Sequence, residues 1–117
     1  MREIKFRAWD ASEKEMVSWA HVIYDPDYWL QGLLMQEDVD EDDVLMQYTG
    51  LKDKNGVEIY EGDIMRIKLD HENCVVELDR DCWVGRWNES QFTTPLGTLI
   101  AGGNLVIGNI YENKDLI

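Results

Sequence analysis

Residues 46–67 read MQYTGLKDKNGVEIYEGDIMRI, and their pattern decides the fold class. Met46 and Tyr48 alternate with Gln47 and Thr49, the period of a half-buried strand. The stretch 50–56 breaks that period with turn residues. Gly50 and Gly56 can hold the positive φ that side chains resist, Asn55-Gly56 suits a tight hairpin, and Asp53 can accept a backbone hydrogen bond from two residues on. Residues 57–60 resume a strand. Glu61-Gly62-Asp63 then turns the chain, with Gly62 at a sharp strand entry and Asp63 free to bond nearby backbone. The following strand is predicted over 64–69, with Met65, Ile67 and Leu69 inward and Arg66 and Lys68 outward.

The same grammar continues downstream. Residues 70–73 form a turn, Cys74, Val76 and Leu78 line one face of a strand, and residues 79–81 turn into another strand over 82–87. Strands 64–69 and 74–78 are therefore expected side by side and antiparallel. Residues 88–98, with Pro95 and Gly97, read as turn-rich, and Gly102-Gly103-Asn104 precedes a last strand over 105–111. Upstream, Ile4, Phe6 and Ala8 alternate with Lys5 and Arg7. Residues 10–14 interrupt the pattern and 16–23 resume it, with Val17, Trp19 and Ile23 on one face, which predicts an amino-terminal hairpin. Asp25-Pro26 is a helix-start signal, followed at helical spacing by Trp29, Leu30, Leu33 and Leu34. Residues 37–43 then place six carboxylates in seven positions, a self-repelling stretch suited to a solvated loop. The expected architecture is mainly β, a barrel or sandwich in one domain over 1–117, with a short helical and acidic insert at about 25–43.

Composition narrows the function classes. The chain has 117 residues and carries 24 acidic against 11 basic groups, a formal net charge of −13. Such a surface argues against nucleic acid as a partner, because affinity for a phosphate backbone comes from Lys and Arg. With 44% hydrophobic residues, five Trp and five Tyr, the chain can offset its ordering entropy. No apolar run approaches membrane-spanning length, and no secretory h-region opens the sequence. Cys74 and Cys82 are expected as reduced, small buried hydrophobes, with Cys74 paired across strands near Arg86 and not opposite Cys82.

Three blocks carry a resemblance: MREIKFRAWD at 1–10, MQYTGLKDKNGVEIYEGDIMRI at 46–67 and VIGNIYEN at 106–113. In this order they resemble the YopX family of small phage and prophage proteins. The resemblance implies a β-barrel of SH3-like type with additions, and cytoplasmic residence in a bacterial host. It brings no catalytic residues. Gly50, Asp53, Asn55, Gly56, Gly62 and Asp63, within the middle block, set backbone shape, so the likeness speaks for fold and not for catalysis.

Reaction chemistry finds little support. The serines Ser12, Ser18 and Ser90 have no nucleophile-elbow context, and His71 and Cys74 alternate to opposite strand sides. His71, Cys74 and Cys82 lack the close Cys pair of a structural zinc site. Asp38, Asp40 and Asp42 imitate the start of a calcium loop, but Asp43 and Thr49 stand where Gly and Glu are needed. Phosphate-binding glycine loops are absent. No catalytic, cofactor or metal residue is therefore assigned. The basic residues Arg2, Lys5, Arg7, Lys52, Lys54, Arg66 and Lys68 would form a basic face, as in a nucleic-acid module, if a barrel brought them together, but they are expected instead to spend their charge on the surplus acids. The expected function is a non-enzymatic module that binds a host or phage protein or a second copy of itself. Trp29, Trp87, Asp38, Asp40 and Asp42 are its candidate contact residues. A second reading is an acidic decoy that mimics DNA, and a third is an enzyme of unrecognised type.

Overall fold

The computed structural model describes residues 4–24, 43–66, 73–87 and 92–116. The chain is mainly β, as the alternation predicts, and its strands form two antiparallel sheets. The first has the order β2-β1-β3-β4, built from β1 (Phe6–Asp10), β2 (Glu15–Val17), β3 (Val44–Lys52) and β4 (Glu58–Tyr60). The second has the order β8-β7-β6-β5-β9, built from β5 (Asp63–Arg66), β6 (Asn73–Asp79), β7 (Cys82–Trp87), β8 (Thr93–Pro95) and β9 (Leu105–Asn109). β5 and β6 are antiparallel neighbours, with Met65 opposite Cys74.

The chain changes sheets at Glu61-Gly62, between β4 and β5. Gly62 sits at φ +87°, where a side chain is strained, and a Cβ there would come within 3.3 Å of Met46 Sδ. Its N–H donates to Val76 O at 2.8 Å and its carbonyl accepts from Ile110 N at 3.0 Å. One glycine thus ties β6 and the chain after β9 to the crossing point.

The β3–β4 hairpin shows how local chemistry shapes the second half of the first sheet. Asp53 accepts at Oδ1 from Asn55 N (2.9 Å) and Val57 N (3.0 Å), and Gly56 at φ +82° lets the chain return. Upstream, the register shifts between Tyr48 and Lys52. Buried Thr49 serves that irregularity: its hydroxyl donates to Ile59 O at 2.7 Å and accepts from Leu51 N at 3.2 Å.

Four expectations are corrected. The second strand stops at Val17, and α1 (Trp19–Tyr24) replaces its continuation toward residue 23. Ser18 Oγ accepts from His21 N at 3.4 Å, an N-cap contact that starts the helix despite its β-prone residues. A second helix, α2 (Leu96–Ala101), stands where turns are predicted. Its Leu96 and Leu99 join the core formed by Ile59, Met65, Cys74 and Val76, and Gly103 at φ +82° lets the chain leave it. Leu78 is half exposed, because the face that buries Cys74 and Val76 continues past the core. Cys82, beside the β6–β7 turn, is exposed, whereas Cys74 is buried as expected.

Gly85 on β7 marks where α2 seats itself, since a Cβ there would lie 2.6 Å from Leu99 Cδ1 and 2.7 Å from Cys74 Sγ. Cys74 faces Trp87 across the strands, and Cys82 faces Asp79, so the two cysteines are not neighbours. Burial pushes the Cys74 thiol up to about 11, which leaves it protonated and unreactive near neutral pH. In native protein at pH 7.5, iodoacetamide should modify Cys82 and spare Cys74, with both modified in denaturant. Mass spectrometry of the peptides reads this directly, and equal native labelling of both thiols would contradict the burial.

The expected helix after Asp25, the acidic run at 37–42, and Trp29, Asp38, Asp40 and Asp42 lie outside the described residues, as do Ile67, Lys68, Leu69 and His71.

Candidate binding groove

Alternation along β1 and the residue before it puts Lys5, Arg7 and Trp9 on one face. The sequence reading pairs the cations of this face with surplus acids; both are paired, and their side chains are only 15% and 13% exposed. Lys5 pairs with Glu58 and lies 4.9 Å from the centre of the Tyr48 ring. Arg7 lies 4.7 Å from the centre of the Tyr60 ring, and its Nη2 donates to Asp63 Oδ1 at 2.6 Å. Trp9 completes the row and stacks on Tyr111 at 5.6 Å with 24° between the planes. Tyr48 and Tyr60 also touch, their ring centres 5.3 Å apart.

The Arg7–Asp63 pair joins the two sheets. Asp63 is 2% exposed and also accepts at Oδ2 from Tyr60 N at 2.8 Å. Burial pushes its carboxyl above the usual carboxylate range, while Arg7 and the Tyr60 amide pull it back. Asp53 makes a second tie: its Oδ2 accepts from Val106 N on β9 at 3.1 Å, the turn having claimed Oδ1.

Beyond β9 the chain folds on itself to present Tyr111. Asn109 Oδ1 accepts from Tyr111 N at 3.0 Å and Glu112 N at 2.8 Å, and Asn109 Nδ2 donates to Glu112 Oε1 at 3.1 Å. Asn113 Oδ1 accepts from Asn109 N at 3.1 Å, tucked into the space that Gly108 leaves by having no Cβ. Burial, reinforced by the charge of Glu61, pushes the Tyr111 hydroxyl above its ordinary range, so it remains protonated at neutral pH.

At this end of the seam the surface opens as a groove of about 1060 Å³. Trp9, Val44, Ile110 and Tyr111 form its apolar lining, and Lys14, Glu112, Lys114 and Asp115 place two charges of each sign around it. It combines apolar surface with a few polar groups, the usual composition of a recognition site. Among the described residues, no three His, Cys, Asp or Glu side chains gather as a metal site. No helix among them is long and apolar enough to cross a membrane.

Of the contact residues named from sequence, only Trp87 falls among the described residues, and it does not line this groove. Trp87 packs against the core on β7, and its indole N–H donates to Thr94 Oγ1 at 2.9 Å. Three of the six turn residues lie at the seam: Gly62 and Asp63 beside Arg7 and Tyr111, and Asp53 through its bond to Val106 of β9. Sequence reasoning missed Trp9 and Tyr111, although each lies in one of the quoted blocks. Their available signal was Trp9 sharing a strand face with Arg7 and Lys5.

A mainly β domain of two sheets clasped by a buried ion pair, with an aromatic groove at one end, is the class these features define. The YopX protein family model matches residues 5–117, and the chain belongs to that family. Among solved structures it is similar to protein EF1440 from Enterococcus faecalis, with 29% identity, 99% of each chain covered and a TM-score of 0.67. Among curated proteins none matches the chain.

Proposed function

We propose that this chain is a protein-binding module without chemistry of its own, serving a phage or prophage in the cytoplasm of a bacterial host. Its groove receives an extended segment of a partner protein. The observation that carries this reading is the stacked Trp9–Tyr111 pair lining an open groove with mixed charge at its rim. Aromatic side chains of this kind dominate interface energies, because they bury large area at little entropic cost. A photo-crosslinking residue at Ala11, on the groove wall, should trap a partner in host cells, and one at exposed Thr98 on α2 should not. With that partner purified, Tyr111→Ala should weaken binding by about 2 kcal/mol, some 30-fold. Trapping from both positions alike, or unchanged affinity in the folded variant, refutes the reading.

The net charge of −13 favours a second reading, an acidic decoy for a host DNA-binding protein. Its complex would ignore Tyr111→Ala and weaken steeply with salt, because exposed charges are screened over about 8 Å at physiological ionic strength.

A further inference from the structure

We infer that the groove receives a proline-rich segment in the polyproline II conformation, an inference that deepens the protein-binding reading above and rests on it. The backbone of the groove is already spent. Ala11 N donates to Asp43 Oδ1 at 2.8 Å, and Ile110 N donates to Gly62 O at 3.0 Å. Tyr111 N and Glu112 N both donate to Asn109 Oδ1. Trp9 and Val44 are partners across β1 and β3. A segment arriving as a further β-strand would meet these amides in use and would bury its own N–H and C=O groups unmatched. A polyproline II segment makes no such demand, because its backbone has no ladder to complete and proline has no N–H to satisfy.

The side chains offer what the backbone withholds. Trp9 and Tyr111 line the groove, and among the described residues neither the Trp9 indole N–H nor the Tyr111 hydroxyl has a hydrogen-bond partner. Two donors therefore accompany the stacked rings. The carbonyl oxygens that a polyproline II segment turns outward are acceptors for such donors, and its proline rings pack on aromatic faces and on the apolar surface of Val44 and Ile110. Lys14 and Lys114 balance Glu112 and Asp115, so the groove's own charges favour neither sign and an uncharged segment is their complement. The preformed extended shape of such a segment also keeps its ordering cost low.

Three capped hexamers, titrated into the whole protein, test this: hexaproline, a Thr-Val repeat that favours a strand, and a Gly-Ser repeat that favours neither. The indole N–H signals of Trp9 and Trp83 are followed by NMR. Hexaproline should shift the Trp9 signal saturably, leave Trp83 unmoved and bind alike at about 50 and about 500 mM NaCl, whereas the other two should not saturate. Tyr111→Phe, read at the Trp9 indole, and Trp9→Phe, read at the Tyr111 amide, each keep a ring and remove a donor. Each should weaken binding about two- to tenfold. The partner segment crosslinked from Ala11 should map by mass spectrometry to a proline-rich stretch. A proline-free stretch there, or saturable binding of the Thr-Val hexamer in place of hexaproline, overturns the proline assignment and leaves the protein-binding reading intact. Equal binding of all three hexamers, equal shifts at both indoles, or unchanged affinity in both variants overturns it too. If no hexamer moves Trp9 while the crosslinked partner still depends on Tyr111, the proline assignment alone fails. If that dependence is lost as well, both readings fail.

Discussion

Arg7→Met should lower stability at pH 7 by about 3 kcal/mol, because it strands the Asp63 carboxylate in the seam between the sheets. The substitution keeps an unbranched stem but removes the charge, the bond to Asp63 and the contact over Tyr60. The low end of the range for a broken buried pair applies, since the Arg7 side chain retains 13% exposure. The loss should depend on pH in a defined direction. Burial already holds the Asp63 carboxyl above its unfolded value, and removing the opposing cation raises it further. A carboxyl raised in the folded state binds its proton more tightly there than in the unfolded chain. Its stabilising contribution is complete below the unfolded pKa and is lost as pH rises through the folded one. The deficit of Arg7→Met should therefore be largest above neutrality and shrink toward pH 5. Urea midpoints of both proteins at pH 5, 6, 7 and 8 measure this. A deficit independent of pH would show that Asp63 is not the stranded group.

Asp53→Ala should cost about 3 kcal/mol, for a different reason. One carboxylate accepts three backbone N–H groups, from Asn55, Val57 and Val106, while only 5% exposed. The turn amides can recover some hydration when it is removed, but Val106 on β9 loses its partner 53 residues away. Asp53→Asn separates the two roles. Its single side-chain oxygen can still serve the turn, and its NH2 group offers nothing to Val106 N–H. Hydrogen exchange should then accelerate at Val106 and stay near wild type at Asn55 and Val57, with a loss near 1 kcal/mol. Uniform acceleration at all three amides would mean that the turn and β9 open as one unit.

What was legible in the sequence was local. Gly56 and Gly62 announce positive φ because only the backbone of the residue itself is at issue, and Asp53 announces a turn because its partners lie two and four residues away. The strand pairing of 64–66 with 73–75 followed from alternation and a short connection. α2 was hidden because its six residues include Gly97 and follow Pro95, leaving only Leu96 and Leu99 to carry a helical period. α1 was hidden because Val17 and Trp19 extend a period of two across a cap at Ser18. Arg7 reads as a cation with many acids to choose from, and only the other sheet singles out Asp63, 56 residues on. The groove is the extreme case, since Trp9, Val44 and Tyr111 share no local pattern and meet only through topology.

That topology also sets a timetable. β1 is made before the strands that follow it, yet its Arg7 waits for Asp63, 56 residues on, and its Trp9 waits for Tyr111. The early hairpin can form while synthesis continues, whereas the aromatic stack closes only after Tyr111 has left the ribosome. A nascent or carboxy-terminally clipped chain therefore exposes the Trp9 ring without having a groove. The groove of the proposed module is thus assembled late, and loss of residues after Asn109 would strip Ile110 and Tyr111 from its lining while leaving the strands through β9 in the chain.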